Sequence, residues 1–166
     1  MMLRDVPNGV QCFVDANIFC YHLIATPNLS DECSDFLERV EHRQVVGVTS
    51  VAALAEATHK VMLTEALARY NLAHKGLAHY LQRHPDLLAS LDEHKKIVAI
   101  IRALNVQVEE VSVDILEAGA ELSSQLGLLT NDAITVAIMQ NLGLTHLATN
   151  DNNFDRVPGI TVWKPR

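Results

Sequence analysis

Four acidic residues stand at separated places in the chain, at least three of them where a strand ends or a helix begins. They are Asp15 in Phe-Val-Asp-Ala-Asn, Glu56 in Leu-Ala-Glu-Ala-Thr, Asp132 in Leu-Thr-Asn-Asp-Ala and Asp151 in Ala-Thr-Asn-Asp-Asn-Asn-Phe. Asp15 closes the apolar run 11–14, and Asp151 follows a second run, 145–149. Carboxylates at the carboxyl ends of neighbouring strands converge on one crevice in an open α/β sheet. Gathered carboxylates repel one another, so protons or cations must neutralise them. Hard divalent ions with oxygen ligands do this well. The pattern therefore points to metal-assisted chemistry on phosphates.

Each acid alone also has an ordinary explanation. Asp15 can cap the helix after it, and Asp132, in the first turn of a helix, is favoured by the helix dipole. Glu56 can be a solvated helix residue, and Asp151 can belong to a polar turn that continues to Asp155. The specific signal is the joint order: acid after strand, acid in helix, acid at helix start, acid after strand.

The elements that must position these groups alternate. Short β-branched or apolar runs predict strands over 11–15, 45–48, 106–111, 145–148 and 160–163. Helical spacing predicts helices from Asn17 to Leu23 and from Ser30 to about His42. A further helix follows Thr49-Ser50 and carries Val51, Leu54, Thr58 and Val61, with small alanines around Glu56. Ser112 to about Gly127 and Thr130 to about Asn141 read as two more, the last capped by Thr130 and stopped at Gly143. Residues 65–83 and 86–104 read as a helical hairpin inserted at the sheet's edge and divided at His84-Pro85-Asp86. Alternation of this kind predicts a parallel sheet with helices on both faces, an α/β/α sandwich. Without a linker or low-complexity tract, 1–166 reads as one domain.

At 166 residues and 49% hydrophobic content, the chain can bury a sizeable core. It has no apolar stretch long enough to span a membrane, and its first residues lack an apolar signal core. Cys12, Cys20 and Cys33 are odd in number and show no C-x-x-C spacing, which fits buried thiols in a reducing cytoplasm. The net charge of −7 is unlike the basic surface of a general nucleic-acid binder. Contact with a polynucleotide then depends on local basic groups, of which Arg39, Arg43, Lys60, Arg69, Lys75 and Arg156 are candidates.

The motifs Phe-Val-Asp-Ala-Asn-Ile-Phe, the helical Glu56, Thr-Asn-Asp-Ala and Leu-Ala-Thr-Asn-Asp-Asn-Asn-Phe come in an order that resembles the PIN-domain ribonucleases. Within that family the chain looks most like the VapC toxins of toxin–antitoxin pairs. The resemblance runs over about residues 11 to 163. It implies a compact three-layer α/β/α sandwich and a metal-dependent endoribonuclease using Mg²⁺ or Mn²⁺. It carries the metal-binding and catalytic acids onto Asp15, Glu56, Asp132 and Asp151. Accessory polar positions fall on Asn17, Thr130 and Thr149, and Asp155 matches a more variable acid. Asn152-Asn153 departs from the family, which often has a basic residue after the last acid. Expected partners are an RNA held single-stranded or in a loop, a small antitoxin protein and a second copy of the chain, all in the cytoplasm. The expected chemistry is in-line cleavage of a phosphodiester by water, with metal ions roughly 3.5–4 Å apart if two are bound.

Other chemistries find less support. His74, His79 and His84 are five residues apart and do not share a helix face, and no H-E-x-x-H occurs. There is no G-x-S-x-G elbow, P-loop or G-x-G-x-x-G. A receiver-type site phosphorylated on Asp15 would want a second acid where Asn17 stands. A housekeeping RNA-processing nuclease and a non-catalytic PIN-fold binding module remain the alternatives to a toxin.

Overall fold

The computed structural model describes residues 1–24 and 26–166. Five strands form one all-parallel sheet in the order β3-β2-β1-β4-β5. They are β1 (Gln11–Val14), β2 (Val46–Ser50), β3 (Gln107–Glu109), β4 (His146–Ala148) and β5 (Thr161–Trp163). The helices are α1 (Ala16–Leu23), α2 (Ser30–Glu41), α3 (Val51–Tyr70), α4 (Leu77–Gln82), α5 (Pro85–Ala89), α6 (Ile97–Ala103), α7 (Val113–Leu126) and α8 (Thr130–Leu142). The α/β/α sandwich expected from the alternation of elements is the observed architecture.

Alternation along β1 builds the two halves of the core. Cys12 and Val14 pack on one face with Ile18, Phe36, Leu37, Val40 and Ala57 from α1, α2 and α3. Phe13 points to the other face, among Ile134, Val136, Met139 and Phe154. Every β1 residue from Cys12 to Val14 is fully buried, as a central parallel strand covered on both sides must be. In register, Phe13 lies beside Val48 on β2 and Leu147 on β4.

From β1 the chain winds outward to β2 and β3, and later returns to β4 and β5 on the other side. The strand order therefore reverses between β1 and β4, and crevices in open α/β sheets form at the carboxyl ends of strands where this happens. Asp15 follows β1 directly, and Thr149 to Asp151 follow β4.

The structure departs from the expected elements at the helix after β2 and at the start of α8. The helix after β2 runs unbroken through residue 65 to Tyr70, because apolar and small residues keep helical spacing through Val61, Met62 and Ala66. It stops at Asn71, whose φ of 50° is left-handed. The segment expected as two long helices is instead α4, α5, a 3-10 turn at Glu93–Lys96 and α6. The break before Pro85 was expected, and Pro85 opens α5. Leu77, Leu81 and Leu91 form a small separate core against Ala66 of α3. The second departure is at Thr130. It is the first residue of α8, while Leu129 holds the extended cap position with no side-chain cap bond.

Candidate active site

Asp15 is the N-cap of α1, and its Oδ1 accepts from the Ala16 N–H at 2.7 Å. The ordinary capping role and the candidate functional role therefore fall on one side chain. Its other oxygen is held from two directions. The Asn17 amide donates to Oδ2 at 2.5 Å and the Thr149 hydroxyl at 2.6 Å. Thr149, fully buried at the end of β4, also accepts from the Asp151 N–H at 3.1 Å. Asn17 in turn accepts from the Asn150 N–H at 3.1 Å. The ends of β1 and β4 are thus sewn together by polar groups around one carboxylate. Burial pushes Asp15 above the usual carboxylate range; the Thr149 and Ala16 bonds oppose this, and the charge of Glu56 adds to it.

Asp132 is in the first turn of α8, and Asp151 caps the following 3-10 turn by accepting from the Asn153 N–H at 2.7 Å. Burial, then the carboxylates of Asp151, Asp15 and Glu56, push Asp132 up to about 6. All four acids expected to cluster therefore share one field of negative charge. Glu56, Thr130, Asn131, Asp132, Asp151 and Asn153 line one crevice of about 420 Å³; Asp15 and Lys60 are not among its lining residues and meet it through Thr149 and Glu56 respectively. A larger groove between α1, α3 and the 3-10 turn at Glu93–Lys96 lies elsewhere and holds none of the four acids.

Glu56 has both oxygens engaged. Lys60, one turn on in α3, meets Oε1 at 2.6 Å, and the Asn131 amide donates to Oε2 at 3.0 Å. Asp155 is turned to a different neighbour: its carboxylate bonds the Lys164 ammonium, which also donates to Asn152 at 2.7 Å. It does not line the crevice.

The donor set suits a hard divalent cation, being all oxygen and short of compensating positive charge. As the side chains lie, no three Asp, Glu, His or Cys groups among the described residues stand close enough to close on one ion. In this arrangement the carboxylates of Glu56 and Asp151 each accept from protein donors.

Asn131 and Asn150 went unassigned in the sequence, although the triplet Thr-Asn-Asp occurs twice, at 130–132 and 149–151. In both copies the asparagine reaches a polar group on another element: Asn131 reaches Glu56 on α3, and Asn150 reaches Asn17 and the Tyr21 hydroxyl on α1. Of the basic candidates, Arg39 is spent on Val6 and Asn8 before β1, at the opposite end of the sheet from the crevice. Arg69 bonds the Ser90 carbonyl, and Arg156 bonds the Gly127 carbonyl at 2.6 Å. Lys60 stands beside the acids.

The profile of the PIN domain family matches residues 12–160, which take in most of the doubly wound sheet and all four acids. The chain belongs to the PIN domain family. Over 70 residues, 42% of this chain, it is 30% identical to Ribonuclease VapC6 of Methanocaldococcus jannaschii, and the match spans 46% of that protein, less than half its length. Its fold is similar to VapC20 of Mycobacterium tuberculosis, a toxin that cleaves the sarcin-ricin loop, with a TM-score of 0.61 at 18% identity over 89% of this chain and 95% of that one. It is also similar to VapBC2 of Rickettsia felis, solved bound to a promoter DNA fragment, with a TM-score of 0.57 at 18% identity over 93% and 98% of the two chains. No helix among the described residues is long and apolar enough to cross a membrane.

Proposed function

We propose that the protein is a metal-dependent endoribonuclease and the toxin of a toxin–antitoxin pair. The observation that carries the reading is that Glu56, Asp132 and Asp151 line one crevice at the carboxyl ends of the strands, with Asp15 tied to the Asp151 segment through Thr149. Membership of the PIN domain family and the similarity to Ribonuclease VapC6 support the same reading.

Asp15, Asp132 and Asp151, with Glu56 directly or through water, would hold Mg²⁺ or Mn²⁺. The bound ion supplies a water activated at neutral pH and charge stabilisation at phosphorus. The chain's own groups do the positioning. Asn17 and Thr149 fix the Asp15 carboxylate from two sides, in the way that outer-shell donors orient ligands at metal sites. Thr130 lines the crevice and is the first residue of α8, not its cap, so its hydroxyl can meet a phosphate oxygen or a water. Asp155, held by Lys164, has at most an indirect part. No side-chain nucleophile is required.

The partners carried by this reading are an RNA, a small antitoxin protein and a second copy of the chain. The test of the chemistry is cleavage of a labelled RNA by the purified protein with Mn²⁺, beside Asp15→Asn and Asp132→Asn. Each substitution should reduce turnover by at least about a hundredfold, beyond the 10–100-fold typical of outer-shell changes. Undiminished cleavage by either variant removes that residue from the mechanism. Growth arrest on induction of the wild type, absent with Asp132→Asn, separates a toxin from a housekeeping nuclease.

A further inference from the structure

Lys60 is the basic side chain that the fold sets against the acid cluster. It leaves α3 one turn after Glu56, and its ammonium sits 2.6 Å from Glu56 Oε1. The lysine side chain is 48% exposed and the glutamate 28%, so the cation is the more open of the pair. Its charge reaches past Glu56, since both Asp15 and Asp132 feel it. The other oxygen of Glu56 is held by Asn131.

Such a pair is easily exchanged. A partly exposed i,i+4 ion pair on a helix contributes little to stability, and a lysine ammonium on its flexible stem is a compact point charge without a fixed bonding geometry. Were the Glu56 carboxylate to turn toward a bound cation, Lys60 would lose this partner. An anion entering from solvent would then compete with the protein's own carboxylates for the freed ammonium. In this acidic protein a phosphodiester approaching the four carboxylates needs a local positive group, and Arg39, Arg69 and Arg156 are committed elsewhere.

We propose that Lys60 is a phosphate-binding residue of this site, pairing with Glu56 in the unloaded protein and with an RNA phosphodiester oxygen in the substrate complex. The assignment rests on the nuclease reading above. The experiment separates the two by measuring binding as well as turnover. Wild type, Lys60→Met and Lys60→Arg are compared for Mn²⁺ binding by calorimetry. They are then compared for binding of a fluorescent mixed-sequence single-stranded RNA in Ca²⁺ over a series of salt concentrations.

Lys60→Met should bind the RNA several-fold more weakly, with the slope of log affinity against log salt smaller by about 0.7, the value of one lost single-strand phosphate contact. Its Mn²⁺ affinity should equal or exceed that of wild type, because a positive charge and a competitor for Glu56 are gone. Lys60→Arg should recover most of the RNA affinity and the slope. An unchanged RNA affinity and slope in Lys60→Met overturns the proposal, as does a fall in Mn²⁺ affinity, which would make Lys60 a prop for Glu56. If the wild type binds neither Mn²⁺ nor RNA, the nuclease reading itself falls and takes Lys60 with it.

Discussion

The hydroxyl of Thr149 donates to the Asp15 carboxylate at 2.6 Å across 134 positions of sequence. One oxygen thereby joins the ends of two adjacent parallel strands and fixes the orientation of the acid between them. The same hydroxyl accepts from the Asp151 N–H and from the Asn17 amide, so it is saturated.

Thr149→Val keeps the shape of the side chain and removes those bonds. It leaves the Asp151 N–H without its acceptor, which should cost about 1–3 kcal/mol of stability. The Asp15 carboxylate loses a fixed donor, and Mn²⁺ affinity should fall about 10–100-fold. Denaturant melts and calorimetry measure the two effects separately. Wild-type Mn²⁺ affinity in this variant would show that Asp15 needs no such support.

The raised proton affinity of Asp132 gives a signed pH dependence. Its folded value is about 6 against an ordinary 3.8, so the folded state holds this proton more tightly than the unfolded state. Above pH 6 the ionised Asp132 destabilises the metal-free fold, and the cost fades as pH falls from about 6 towards 4. Metal-free Asp132→Asn should therefore melt higher than wild type at pH 7.5, with the gap closing by pH 4. The side chain is partly exposed, so the gap is a modest one. Melting curves across that range, in a chelating buffer, decide the matter; a gap that widens on acidification has the wrong sign.

A cation that neutralises the cluster should reverse the same penalty. With free Mn²⁺ at about a hundred times its dissociation constant, mass action adds about 2.7 kcal/mol to the stability of the folded state. The melting temperature should rise with Mn²⁺ and rise far less in Asp132→Asn. Equal shifts in both proteins would place Mn²⁺ binding outside the crevice.

Gly47 in β2 tests the packing beneath the site. A Cβ there would stand 2.6 Å from Val40 Cγ1. Val40 is buried and, being β-branched, has little rotamer freedom to retreat. Gly47→Ala should lose about 1–3 kcal/mol to overpacking, read as a lower urea midpoint. A midpoint equal to wild type would mean that α2 shifts outward freely.

The parallel sheet was legible because each strand is a short apolar run followed by helical spacing, and Gln11–Val14 and His146–Ala148 needed little else. The acids were legible for the same reason: Asp15 and Asp151 stand where apolar runs end. What stayed hidden depends on contacts between distant elements. Asn131 reads as a neutral residue of a helix's first turn until α8 is laid beside α3, where its amide meets Glu56. Lys60 is one basic candidate among six in the sequence; the structure engages Arg39, Arg69 and Arg156 elsewhere and sets Lys60 against Glu56. Residues 65–104 were misdivided because their leucines and alanines keep helical spacing throughout. The breaks at Asn71 and Gly76 come from left-handed backbone, which that spacing does not encode.

The three thiols offer a practical opening. Cys12, Cys20 and Cys33 are all unpaired and buried, and burial pushes them up to about 12, 11 and 12. Thiolate chemistry at neutral pH is closed to such groups. A cysteine introduced at exposed Asn153, on the rim of the crevice, would be the one fast-reacting position. A single maleimide dye or spin label could then be attached there without first removing the native sulfurs, giving a reporter beside the acids whose signal follows occupancy in real time.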